Sequence, residues 1–81
     1  MTDSSVPRLL DVQGLNCPMP LLKAKKALNE MQPDELLQVL ATDPGSVRDF
    51  VVFSQQSGNA LLESRQEGDV YVYLLRKKSP S

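Results

Sequence analysis

The chain reads as an α/β (α+β) two-layer sandwich of order β-α-β-α-β-β, with a mixed four-stranded sheet and two helices on one face. Three observations predict it. Apolar residues recur at helical spacing from Pro18 to Met31 and again after Asp43, and a short strand-like run precedes each of these segments. The last third of the chain holds two more such runs, joined by Glu67-Gly68-Asp69. At 81 residues, 41% of them hydrophobic, the chain makes one small domain that buries about 60% of its unfolded surface.

Residues 1–7 are largely polar and end in a proline, and 79–81 close the chain in the same way, so both are expected to be tails around a single domain of residues 8–78. Arg8 to Gln13 is the first strand, with Leu10 and Val12 on one face and Gly14 in the turn after it. From Pro18 to about Met31, Leu21, Ala24, Leu28 and Met31 form one helical stripe with Ala27 beside it. Pro18 at the first helical position and Pro20 in the same turn are well placed, because those N–H groups would lack an intrahelical partner. The remaining donors, Met19 N–H and Leu21 N–H, are expected to face the sulfur of Cys17.

Gln32-Pro33-Asp34 breaks the helix, and Leu36 to Ala41 is apolar enough for a central strand. Asp43 is placed to cap a second helix with Pro44 at its first position, Val47, Phe50, Val51 and Ser54 inward, Phe53 alongside, and Gly58 as its end. Asn59 to Gln66 and Val70 to Lys77 then form a hairpin, with Tyr71, Tyr73 and Leu75 on one face of its second strand.

Cys17 is the single cysteine, and the chain contains no histidine. That excludes a Cys-His dyad, a zinc site of Cys and His ligands, and an internal disulfide. A thiol at a helix N-terminus sits beside unpaired N–H groups and about half a positive charge, which favours the thiolate and predicts a reactive sulfur. The competing reading is a small hydrophobe packed under the sheet edge. Lys23, Lys25 and Lys26 against the single acid Glu30 make the first helix locally basic, which is either a solvated face or a dock for an acidic partner that also steadies an anionic sulfur. Met19 and Leu22 lie off the buried stripe near Cys17 and suit the dry centre of a transient interface. Asp43 and Arg48 read as cap and surface charge.

The formal charge of −1 weighs against a nucleic-acid binder, and four aromatics divided between a helix and a strand make no base-stacking platform. Met1-Thr2-Asp3-Ser4-Ser5 lacks the pattern of a secretory signal and no apolar run is long enough for a membrane span, so a cytoplasmic protein is expected, with no membrane partner. A reducing compartment also suits a lone thiol.

Leu10-Asp11 with Gly14, Cys17-Pro18-Met19-Pro20, Asp43-Pro44 with Arg48-Asp49, and Tyr73-Leu74-Leu75-Arg76-Lys77 resemble the TusA/SirA family of small sulfur carriers over nearly the whole chain. The resemblance implies a persulfide shuttle without multi-turnover chemistry of its own. Cys17 would accept a sulfane sulfur from a cysteine desulfurase or similar donor and hand it to a cysteine of an acceptor protein, as in tRNA thiolation or related sulfur trafficking. It implies that Pro18 and Pro20 shape the site and that Lys25, Lys26 and Asp43 lie where partners dock; Gly14 and Met19 are grouped with the shaping residues, Leu22 and Arg48 with the docking surface, and no cofactor or metal is expected. Met19 occupies a position where the member serving tRNA thiolation carries a glutamate, which leaves the pathway open. The alternatives are a regulatory protein-binding module with a structural cysteine and, with the charge against it, an RNA-binding domain; a thiol oxidoreductase would normally carry Cys-x-x-Cys.

Overall fold

The computed structural model describes residues 6–79; most of the expected tails, 1–5 and 80–81, lies outside the described residues. Its elements are β1 (Arg8–Asp11), α1 (Met19–Asn29), β2 (Leu36–Ala41), α2 (Ser46–Ser57), β3 (Ala60–Glu67) and β4 (Val70–Arg76), in the expected order. The sheet runs β1-β2-β4-β3. β1 and β2 are parallel because α1 crosses over between them, and the other pairs are antiparallel.

Register decides which residues meet the helices. Leu37 pairs with Leu75, Val39 with Tyr73, and Leu10 lies beside Val39, so these side chains share the covered face. Ala24, Ala27 and Leu28 of α1, Met31 after it, and Phe50 and Phe53 of α2 close over them in a single core that also takes in Val12 and Ala41. The opposite face, with Leu40 opposite Val72, carries no helix, and Leu9 at its margin is exposed.

The second helix departs from its expected face. Its buried residues are Ser46, Phe50 and Phe53, whereas Val47 and Val51 are exposed. Ser46, Phe50 and Phe53 follow i, i+4, i+7, and Val47 and Val51 fall one step of about 100° round from that line. A serine on the inner face hid the true stripe, because its hydroxyl reads as polar. Asp43 does not cap the helix either: Gly45 is the N-cap, with no side-chain cap bond, and Pro44 belongs to the preceding turn. At the other end Gly58 adopts a left-handed conformation (φ 86°) and donates its N–H to Ser54 O, as expected for a glycine stop. The hairpin turns through Gly68 (φ 62°), and β3 forms the outer edge, where Arg65 pairs with Glu63 and Glu67.

Ser46 is buried because it is spoken for. Its hydroxyl donates to Asp43 O at 2.7 Å, and the single proton used there leaves Tyr73 as the donor in the 2.7 Å bond between Tyr73 Oη and Ser46 Oγ. The Tyr73 ring stacks on Phe50 with centroids 4.5 Å apart. Burial holds the Tyr73 hydroxyl above its ordinary pKa. Tyr73→Phe keeps the stacking and removes one hydrogen bond, an expected loss of about 1 kcal/mol. Ser46→Ala strands the buried tyrosine hydroxyl and is expected to cost more, about 1–3 kcal/mol, with urea unfolding of both variants as the measurement.

Candidate functional site

Cys17 lies in the connection between β1 and α1, and that connection is built from the bonds its own residues leave open. Gly14 takes a left-handed turn (φ 84°) that a Cβ would strain, and its N–H donates to Thr42 Oγ1 at 2.8 Å. Leu15 packs against the core, which anchors the strand side of the loop. Met19 N–H donates to Asn16 O at 2.8 Å, so that donor closes the loop on itself and does not face the sulfur. Leu22 N–H continues to Pro18 O. Pro18 is the N-cap residue and Pro20 the second residue of α1, one position earlier in the helix than expected for Pro18; Pro20 is fully buried and fixes the first turn against the core.

The thiol is exposed, which rules out the packed-cysteine reading. Two carboxylates hold it. Asp43 Oδ2 accepts the Cys17 backbone N–H at 3.0 Å, and the Cys17 thiol donates to Asp49 Oδ2 at 2.7 Å. Gly45 makes room for this: a Cβ there would lie 3.2 Å from Asp43 Oδ2 and 3.7 Å from Cys17 Cβ, although its φ of −66° is open to any residue. A Cβ here would crowd the Asp43 carboxylate, while the backbone itself asks for no glycine.

This geometry reverses the electrostatic expectation. The hydrogen bond to Asp49 raises the Cys17 pKa first, desolvation adds to it, and the charges of Asp49 and then Asp43 push the same way. A full negative charge in direct contact outweighs about half a positive charge spread over the first turn of α1. The resting sulfur is a thiol held by an acid-rich lip.

The lysines stand elsewhere. Lys25 reaches over the Phe53 ring, 5.7 Å from its centroid, while Lys26 and Lys23 line a hollow of about 250 Å³ on the other side of α1 with Arg8, Leu10 and Glu30. Lys25, Arg48 and Asp49 meet, with Leu21 and Val52, along a second hollow of about 280 Å³ between α1 and α2. Met19 and Leu22 are exposed, at 41% and 48%, as expected for contact residues. Of the sequence candidates, the structure therefore brings Asp43 to the cysteine, puts Lys25 and Arg48 on the hollow that Asp49 borders, and leaves Lys26 on another side. Asp49, Gly45 and Ser46 escaped sequence reasoning, because their roles depend on contacts with residues 26 to 32 positions away. Among the described residues no group of three or more possible metal ligands lies together.

A sequence model described as Sulfurtransferase TusA matches residues 8–77. The chain belongs to the TusA family. It is 54% identical over 68 residues to a protein named Sulfur carrier protein TusA from Allochromatium vinosum, covering 84% of this chain and 90% of that one. A putative sulfur carrier protein of Neisseria meningitidis serogroup A is 46% identical, covering 85% of this chain and 93% of the relative. In fold, the crystal structure of a SirA-like protein from Desulfitobacterium hafniense matches with a TM-score of 0.76 at 23% identity, over 88% of this chain and 97% of that one. The TusA-family match spans every element of the sheet and both helices, and so takes in the whole cysteine loop.

Two outcomes are expected from this geometry. The folded state binds the Cys17 proton more tightly than the unfolded chain, so the stability contributed by the Asp49 bond is fully present below the unfolded thiol pKa of about 8.5 and is lost as pH rises through the higher folded value. Urea midpoints should therefore fall more steeply above about pH 8.5 for the wild type than for Cys17→Ser, which has no thiol to titrate. Gly45→Ala should press Asp43 off the Cys17 amide, visible as faster hydrogen exchange at that amide in solution.

Proposed function

We propose that this protein is a sulfur carrier in which Cys17 accepts a sulfane sulfur as a persulfide and relays it to a cysteine of an acceptor protein, as in tRNA thiolation or related sulfur trafficking. The observation that carries this reading is a single exposed thiol at the head of α1 in a chain of the TusA family. The donor is a cysteine desulfurase or another protein that presents a persulfide. Cys17 as thiolate attacks the outer sulfur of the donor persulfide, the donor's S–S bond breaks, and the donor leaves as a thiolate. An acceptor thiolate then attacks the outer sulfur of Cys17–S–SH in the same way.

The protein's contribution is placement. An exposed sulfur allows the donor and acceptor cysteines to approach in turn, and the absence of a second cysteine leaves no internal thiol to attack the persulfide and release sulfide. Met19 and Leu22 supply apolar contact area beside the sulfur, and the hollow edged by Arg48 and Lys25 supplies charge for orientation. A transient interface of this kind suits a molecule that must leave each partner.

Incubation with a cysteine desulfurase, cysteine and pyridoxal phosphate is expected to add the mass of one sulfur to the intact chain. Cys17→Ser should gain none, and the label should move to an acceptor thiol when one is added. A wild-type mass unchanged by several competent donors would instead favour a regulatory binding module. Leu22→Asp should slow loading about tenfold at limiting donor while leaving the melting temperature close to wild type, since Leu22 lies outside the core.

A further inference from the structure

The carboxylate nearest the sulfur is arranged so as to restrain it. The Cys17 thiol donates to Asp49 Oδ2 at 2.7 Å, and a thiolate has no proton to donate. Ionisation therefore breaks that contact and sets two negative groups face to face, with Asp43 Oδ2 already on the Cys17 amide at 3.0 Å. Asp49 is half-buried in the first turn of α2. The charged groups around it are Asp43 from the connection before α2, Arg48 on α2 and Lys25 on α1, the last two lining the same hollow. The ion pairs among the described residues are Arg8 with Glu30 and Arg65 with Glu63 and Glu67, so neither Arg48 nor Lys25 is in ion-pair contact with Asp49.

We propose that Asp49 gates Cys17: it holds the resting sulfur as an unreactive thiol, and a cationic side chain of the sulfur donor that pairs with this carboxylate releases the sulfur for attack. The proposal rests on the reading of Cys17 as the carrying atom. Once a cation occupies Asp49, the thiol loses its acceptor and much of the negative field, and it ionises at lower pH. The proton goes to solvent. A bond forms between Cys17 Sγ and the outer sulfur of the donor persulfide, the donor's S–S bond breaks, and its inner sulfur leaves as a thiolate that takes up a proton. Cys17–SH and R–S–SH thus become Cys17–S–SH and R–SH, with no oxidant or reductant required. Between partners the same contact keeps a lone exposed thiol out of side reactions with small electrophiles.

The test uses the full chain with three small probes: neutral iodoacetamide, the cationic persulfide of cysteamine, and the anionic persulfide of 3-mercaptopropionate. Asp49→Asn is expected to move the pH profile of Cys17 alkylation to lower pH and to raise the rate at pH 7 about threefold or more. Intact-mass measurements of sulfur loading are expected to favour the cationic persulfide about threefold or more in the wild type, and Asp49→Asn to lose most of that preference. Asp49→Ala run in parallel should give the same shifts, with thermal melts establishing that both variants are folded. An alkylation profile unmoved in both variants overturns the restraint, and a charge preference unmoved in both overturns release by a cation. A wild-type chain that takes sulfur from neither persulfide overturns the carrier reading and the gate with it, whereas a chain that loads with an unmoved profile overturns the gate alone.

Discussion

The position of the sulfur depends on a short line of hydrogen bonds that begins in the core. Tyr73, fully buried on β4, donates to Ser46; Ser46 donates to the carbonyl of Asp43; and the side chain of Asp43 accepts the amide of Cys17. Each link is short, and the two hydroxyl links are buried or partly buried, where a hydrogen bond left unmade costs most. The β1–α1 loop, which meets the core through Val12 and Leu15 before it reaches Cys17, is thereby tied to the core a second time at the cysteine itself. That line fixes the backbone of Cys17, and the contact with Asp49 then fixes its sulfur.

The same arrangement gives the site its electrostatic character. A helix N-terminus alone would favour a thiolate, but α1 opens with one proline before it and one in its first turn, Met19 N–H is consumed by Asn16 O, and the thiol turns to Asp49 on the other helix. The sulfur is thus exposed and restrained at once. For a group that must react with two partners in turn and with little else, restraint by a contact that a partner can displace is chemically economical. The lysines of α1 then belong to the surroundings of the site: Lys25 lies across Phe53, and Lys26 faces away toward Arg8 and Glu30.

Much of the fold was legible because two periodicities carry it. The apolar run of Leu36 to Ala41 is the central strand, with Leu37, Val39 and Ala41 buried, and the stripe of Ala24, Ala27, Leu28 and Met31 buries as its spacing indicates, with Leu21 partly covered at its start; on β4, Tyr73 and Leu75 join the core while Val72 is buried on the opposite face. The face of α2 was misplaced for one reason: Ser46 is a polar residue in an apolar position, satisfied by partners on a distant strand and an adjacent turn. Asp43 was misassigned as a cap by the same blindness, since a side chain with two plausible acceptor roles takes whichever donor the tertiary structure brings to it, here the amide of Cys17.

By itself, then, the sequence determined the order of elements, most of the buried face of α1 and β2, and the identity of the one thiol sulfur in the chain, because these follow from local periodicity and from the chemistry of a unique side chain. What only the tertiary structure decided is the state of that atom: which carboxylates surround it, how closely Gly45 approaches them, and which charges stay away. Those contacts join residues 26 to 32 positions apart in sequence. The packing of two helices against one sheet face sets them, and no pattern along the chain encodes the direction in which a thiol points.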